Sequence, residues 1–294
     1  MVFRTFLRNT ARDTLFLGPG SVGEGPFAMP MGGGVLKSED LLHATGHLDV
    51  FSYHLYAAAS QRCASVGASS QTTAAAALSQ DWLSRPEKIG AFYTNLRDRF
   101  EPGKSLWITE TADAACGGNP WASTFLDTFR YLVQHASLAQ RGVKVIMHNT
   151  LASSDYGLLD QNTFAPRPNY WAALLWRRLM GVTVLDPQIS PTANLYVYAH
   201  CLRNHSGGVA LLAVNADERQ IHEITLASEA ERYTLTAKQL QDREVQLNGK
   251  TLQLNSDGDV PEFVGQPTPS GRISFAPESI TFLAISNANN SSCR

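Results

Sequence analysis

With 294 residues, 44% hydrophobic and 17% charged, the chain is long enough for two modest domains or one large one, and apolar enough to bury a core. Its formal net charge of −2 excludes the strongly basic profile of a dedicated nucleic-acid binder, though a local basic cleft fits within that total. No apolar run approaches the ~18 residues of a membrane span, so no membrane partner is expected, and the start MVFRTFLRNTARD has neither the apolar core nor the cleavage site of a signal peptide.

Composition changes near residue 182. Before it, short apolar runs alternate with long helical stretches. Residues 14–17 read as a strand stopped by Gly18-Pro19-Gly20, and residues 48–54, 105–110 and 143–147 as three more. Helical patterns fall at 81–100 and 122–140, where Phe125, Phe129, Leu132, Val133 and Ala136 recur on one face. A further helix is expected at 169–180, stopped by Gly181. Strand–helix alternation points to parallel strands covered by helices, with polar and small residues gathered after each strand, where barrel enzymes carry their sites.

After residue 182 the pattern is all-β. Residues 193–201 alternate, 208–215 form a buried run, 246–252 read as a hairpin around Asn248-Gly249, and 279–285 close the series. Short strands with regular turns predict a sandwich. The expected division is therefore 1–182, α/β, and 183–294, all-β. There is no internal repeat, and the low-complexity tracts are limited to Gly32–Gly34 and the Ala-rich 73–77.

Three strand ends collect chemistry-bearing residues. Glu110 ends the third strand, and taken alone it reads as an ordinary strand-end carboxylate capping the next helix. Tyr53-His54-Leu55-Tyr56 follows the second strand and His148-Asn149 the fourth. Three such clusters on one sheet read as a barrel-type enzyme site, with aromatic rings and hydroxyls suited to a sugar.

The motifs VGEG (22–25), FSYHLY (51–56), LWITET (106–111) with CGG (116–118), VIMHN (145–149), SDYGLLD (154–160) and RPNYWAALLWRRLMGVTVL (167–185) occur in order. As a set they resemble glycoside hydrolase family 79, the heparanase and β-glucuronidase family. The resemblance implies a (β/α)8 TIM-type barrel followed by a β-sandwich domain, and retaining hydrolysis of β-glucuronides. It implies Glu110 as catalytic nucleophile, with His54 and Tyr56 orienting it. Tyr156, Asn149 and the backbone N–H groups of Gly117 and Gly118 would meet the glucuronate, and Val22, Gly23 and Glu24 would line the substrate loop. Glycine admits close backbone approach, and N–H donors suit an anionic sugar. The substrate class is a glucuronic-acid-containing oligo- or polysaccharide or glucuronide; no metal and no organic cofactor are needed by two-carboxylate chemistry.

That chemistry requires a second carboxyl group, which the family carries in an Asn-Glu-Pro motif. No Asn-Glu pair occurs here. The expectation is that the chain begins after that strand, represents the second half of the barrel (strands 5–8), and needs a complementary N-terminal segment. Alone it would be inactive, a fragment of a protein that is secreted or periplasmic in full length. Ala115 replaces the family's aromatic residue before the glycines, and residues 25–30 (GPFAMP) replace a basic stretch, which weakens the case for a sulfated polysaccharide. The four cysteines show no C-x-x-C spacing, against zinc or thioredoxin chemistry. The resemblance pairs Cys201 with Cys293, and Cys63 with Cys116 stands as a second bridge, against the alternative of four free thiols. Three Asn-x-Ser sequons decide nothing. The alternative function is a non-catalytic carbohydrate-binding or scaffold fragment of a degenerate barrel.

Overall fold

The computed structural model describes residues 2–27, 36–45, 47–63, 71–189 and 192–294. The triple glycine 32–34 and residues 28–30 of the substituted basic stretch lie outside these. A short helix α1 (Val2–Thr10) leads into β1 (Leu17–Ser21), α2 (Ser38–Thr45), β2 (Val50–Leu55), α3 (Gln80–Phe100), β3 (Ser105–Thr111), α4 (Phe125–Gln140), β4 (Val143–His148) and α5 (Pro168–Leu179). The four strands make one parallel sheet in the order β1-β2-β3-β4. Two elements correct the sequence reading. The first strand is Leu17–Ser21 and takes the Gly-Pro-Gly into its length, pairing Gly18 with Phe51 and Pro19 with Ser52 before its register shifts ahead of Ser21. The last helix stops at Leu179, and Met180 already opens a strand.

Local signals set the helix ends. Ser79 caps α3, its side chain accepting from Trp82 N at 3.2 Å. Pro168 takes the first turn of α5, where its missing N–H costs nothing. The first N–H groups of α4 are satisfied from far along the chain: Phe125 and Leu126 donate to the carbonyls of Asp242 and Leu240, at 2.9 and 2.6 Å.

The second unit begins with β5 (Met180–Leu185), which spans the expected division at 182. It continues through β6 (Leu195–Leu202), β7 (Val209–Asn215), β8 (His222–Leu226), β9 (Ala230–Thr236), β10 (Gln246–Leu247), β11 (Lys250–Thr251), β12 (Gln266–Thr268), β13 (Gly271–Phe275) and β14 (Ser279–Ile285). One large sheet runs β11-β10-β9-β14-β7-β6-β5, with β12 also on β9, and β13-β8 form a separate ribbon. The large sheet is covered on both faces. Leu211, Ala213 and Leu283 pack on Ile273 and Phe275 of the ribbon. Leu212, Val214, Ile280 and Phe282 share a core with Trp171, Leu175 and the whole apolar side of α4. That double contact is why α4 is buried almost all round. No described helix is long and apolar enough to cross a membrane.

The chain passes from one unit to the other without a loop, and Gly181 makes that passage fit. A Cβ there would stand 2.4 Å from the Cys201 carbonyl oxygen, a backbone atom with no freedom to yield. Replacing Gly181 by Ala is expected to destabilise the protein by about 1–3 kcal/mol, read as a lower midpoint in denaturant; an unchanged midpoint contradicts the close approach.

Candidate active site

Side chains on a strand alternate faces. In β3, Leu106 and Ile108 are fully buried against the helices, and strict alternation would send Glu110 the same way. It does not go there. Tyr53 of β2 pairs with Ile108, but the next residue, His54, pairs with Glu110. Thr109 has no partner, and the register with β4 shifts across the same residues, from Ile108↔Ile146 to Thr111↔His148. A one-residue bulge of this kind inverts which face each later side chain meets. Thr111 therefore turns to the helices, fully buried, and Glu110 turns to the open face, where its side chain is 38% exposed.

On that face the Tyr56 hydroxyl donates to Glu110 Oε1 at 2.5 Å, and His54 Nδ1 lies 3.7 Å from Oε2. Asn149 Nδ2 donates to the Tyr56 hydroxyl at 2.9 Å and to the Tyr156 hydroxyl at 3.4 Å. Burial, and then the adjoining Glu110 carboxylate, push the Tyr56 phenol well above its ordinary range, so it stays a proton donor. His148 Nε2 lies 2.8 Å from the Tyr156 carbonyl, which makes that nitrogen the donor. Burial lowers the His148 pKa to about 4, so the ring is a neutral anchor for the Tyr156 loop.

The loops after β2 and β3 are joined. Ala115 N donates to Ala58 O and Ser60 N to Ala115 O, both at 2.9 Å, and the sulfurs of Cys63 and Cys116 are bonded. The second bridge, Cys201–Cys293, ties the C-terminus to β6. Gly117 and Gly118 follow, both with positive φ, and neither N–H donates to an acceptor among the described residues. A Cβ on Gly118 would meet the Tyr156 ring at 3.0 Å and Asp113 Oδ1 at 3.1 Å, so glycine is required there. The Gly118 carbonyl is held by Ser60 Oγ at 2.7 Å and by Arg62, which also pairs with Asp155.

The structure thus gathers Glu110, His54, Tyr56, Asn149, Tyr156 and the glycine pair at one end of one sheet. Glu24 is placed differently. Its carboxylate receives Ser38 N at 2.8 Å and the Ser38 hydroxyl, at the start of α2, and has no bond to the Glu110 group among the described residues. Val22 from the same loop packs beside Tyr56 and Tyr156. No cluster of potential metal ligands occurs among the described residues.

Beneath the site runs a polar network that the sequence reading missed. Asp127 and Arg130 of α4 form a doubly hydrogen-bonded pair at 2.7 and 3.1 Å, and Asn169 donates to Asp127 at 2.7 Å. Arg130 donates to Gln134 at 2.9 Å, and Gln134 to the Thr111 hydroxyl at 3.0 Å. The available signal was Asp127, Arg130 and Gln134 at i, i+3 and i+7, a polar stripe on a helix otherwise apolar enough to bury. Asp113 adjoins this network, fully buried, with Asn119 N donating to Oδ2 at 3.0 Å.

Burial and the neighbouring Asp127 push the Asp113 carboxyl up to about 7, against the opposing pull of Arg130. A carboxyl raised above its unfolded value of about 4 leaves stability intact below that pH and removes it as pH climbs toward 7. Asp113→Asn is therefore expected to match the parent near pH 4 and to exceed it in unfolding free energy by a margin that grows as pH rises toward 7. A constant difference across that range contradicts the assignment.

No family model matches the chain. Over 188 residues it is 37% identical to a baicalin-β-D-glucuronidase of Scutellaria baicalensis, covering 61% of this chain and 36% of that protein. Over 233 residues it is 31% identical to heparanase-like protein 1 of Arabidopsis thaliana, covering 65% and 42%. The chain thus spans less than half the length of these relatives. Among solved structures, a family 51 arabinofuranosidase from Xanthomonas axonopodis pv. citri superposes with a TM-score of 0.63 over 97% of this chain and 61% of that one, at 15% identity, a likeness of fold. Through these relatives and a heparanase of Gallus gallus, 30% identical over 237 residues that cover 73% of this chain and 45% of that protein, this chain belongs to the heparanase and β-glucuronidase family, glycoside hydrolase family 79.

Proposed function

We propose that this chain carries the nucleophile half of a retaining β-glucuronide hydrolase. The observation that carries the reading is Glu110 turned onto the open face by the bulge, with Tyr56 donating to one carboxylate oxygen and His54 beside the other. A carboxylate so held has a fixed plane and a free lone pair for attack at an anomeric carbon. Relatives named as a β-glucuronidase and a heparanase-like protein supply the substrate class.

In the reaction, Glu110 bonds to the anomeric carbon as the aglycone leaves with a proton from a carboxylic acid. Water then attacks the same carbon, gives its proton to that carboxylate, and frees Glu110. Gly117 and Gly118 aim unused N–H groups, and Tyr156 its hydroxyl, at the substrate carboxylate. Asn149 links the two tyrosines. These 294 residues contain no Asn-Glu pair, the motif that carries the acid/base group in the family, so that group is assigned to a complementary segment outside them. That segment would add strands to the outer edges of β1 and β4, which have no strand partner among the described residues, and complete the (β/α)8 barrel of which the 1–182 unit supplies strands 5–8. The chain alone is then inactive. Two disulfides fit a secreted or periplasmic protein.

A mechanism-based β-glucuronide probe applied to the natural full-length protein is expected to label Glu110, read as the modified peptide by mass spectrometry. Glu110→Gln should lose that label and at least about 10³-fold in kcat. Turnover surviving in the variant, or a label on another residue, excludes Glu110 as the nucleophile.

A further inference from the structure

The bulge that exposes Glu110 also delivers Thr111 to the opposite face, where it is fully buried against the helices. Its hydroxyl donates to the Leu55 carbonyl at 2.6 Å and accepts from Gln134 Nε2 at 3.0 Å, while its own carbonyl accepts from Asn149 N at 2.8 Å. Two of these contacts land next to, or on, a residue of the site. Leu55 precedes Tyr56, Thr111 follows Glu110, and Asn149 is itself the donor to Tyr56. A closed circuit results: Thr111 to Leu55, along the chain to Tyr56, across to Asn149, and back to the Thr111 carbonyl. Glu110 is attached to this circuit twice, by its peptide bond to Thr111 and by the Tyr56 hydroxyl.

We infer that Thr111 is a positioning residue, whose hydroxyl locks the ends of β2 and β3 to each other and to α4, in the register that sets Tyr56 on Glu110, while its carbonyl holds Asn149 at the end of β4. The inference rests on the function proposed above for Glu110. Hydroxyl chemistry is essential to it, because one oxygen both donates and accepts. Valine has the same shape and does neither; serine does both. Gln134 is held in turn by Arg130, so the buried ion pair on α4 ends at this oxygen.

The test uses Thr111→Val, Thr111→Ser and the double variant Thr111→Val/Gln134→Leu in the natural full-length protein. Valine alone strands the Gln134 amide; the double variant removes that amide but leaves Arg130 Nη1 without its acceptor, so both variants are read below their unfolding midpoints, with Thr111→Ser as the conservative control. Two quantities are read: the rate of covalent labelling at Glu110, and the Cζ carbon resonance of Tyr56 by NMR, which reports its hydroxyl bond without any substrate. Thr111→Val and the double variant should label about 100-fold more slowly, through the rate constant and not through probe affinity, with the Tyr56 resonance displaced. Thr111→Ser should restore both. A stable double variant that labels at the parent rate, a serine variant no better than valine, or an unmoved Tyr56 resonance overturns the inference. A parent protein that takes no label at Glu110 defeats the proposed function instead, and the Tyr56 resonance then still decides for or against Thr111.

Discussion

Side chains alternate along a strand, and in β3 that rule alone would bury Glu110 beside Leu106 and Ile108. The unpaired Thr109 breaks the alternation once, between Ile108 and Glu110. Everything else about the site depends on that single residue: the carboxylate faces the open side, the neighbouring Thr111 faces the helices, and the loop that follows starts from a displaced strand end. A bulge of this kind weakens the ladder locally, so the surrounding structure has to hold it. The bonds from Thr111 to Leu55 and from Asn149 to Thr111 do so from the two flanking strands.

Holding the bulge from behind places polar groups in a core, and this explains the character of α4. The helix lies between the parallel sheet and the large C-terminal sheet, where an apolar surface would bury best. It instead carries Asp127, Arg130 and Gln134 toward the strand ends, each nearly or fully buried and each bonded. A buried ion pair of this sort adds little net stability, because removing two charges from water offsets their attraction. Its geometric effect is larger: it fixes Gln134, and Gln134 fixes the Thr111 hydroxyl. The C-terminal unit takes part as well, since the carbonyls of Leu240 and Asp242 terminate the first turn of the same helix. The site on one unit is thus braced by the other.

Much of this is legible in the sequence, and the remainder is hidden for identifiable reasons. Apolar runs reveal β2, β3, β4 and the long helices, and Asn248-Gly249 with positive φ at both residues makes the expected hairpin. The motif positions His54, Tyr56, Glu110, Asn149 and Tyr156 stand together in the structure because they lie at, or just after, the C-terminal ends of consecutive parallel strands. Strands β8, β9, β12 and β13 escape the reading because exposed charged and polar residues such as Glu223, Glu231, Arg232 and Arg272 dilute their alternation. Glu24 looks like a site carboxylate in sequence, yet Ser38 and the start of α2 claim it. The bulge leaves no composition signal at all, since register is a property of paired strands. Thr111 and Gln134, whose roles exist only through that register, are invisible for the same reason.

The most direct measurement is a crystal structure of the natural full-length protein trapped with a slow-turnover fluorinated β-glucuronide. A covalent bond from the anomeric carbon to a Glu110 carboxylate oxygen, with Tyr56 still on that carboxylate and the sugar's own carboxylate against the Gly117 and Gly118 N–H groups, is the predicted result. A sugar bonded to another side chain, or Glu110 found turned toward α4 with Thr111 on the open face, contradicts the account.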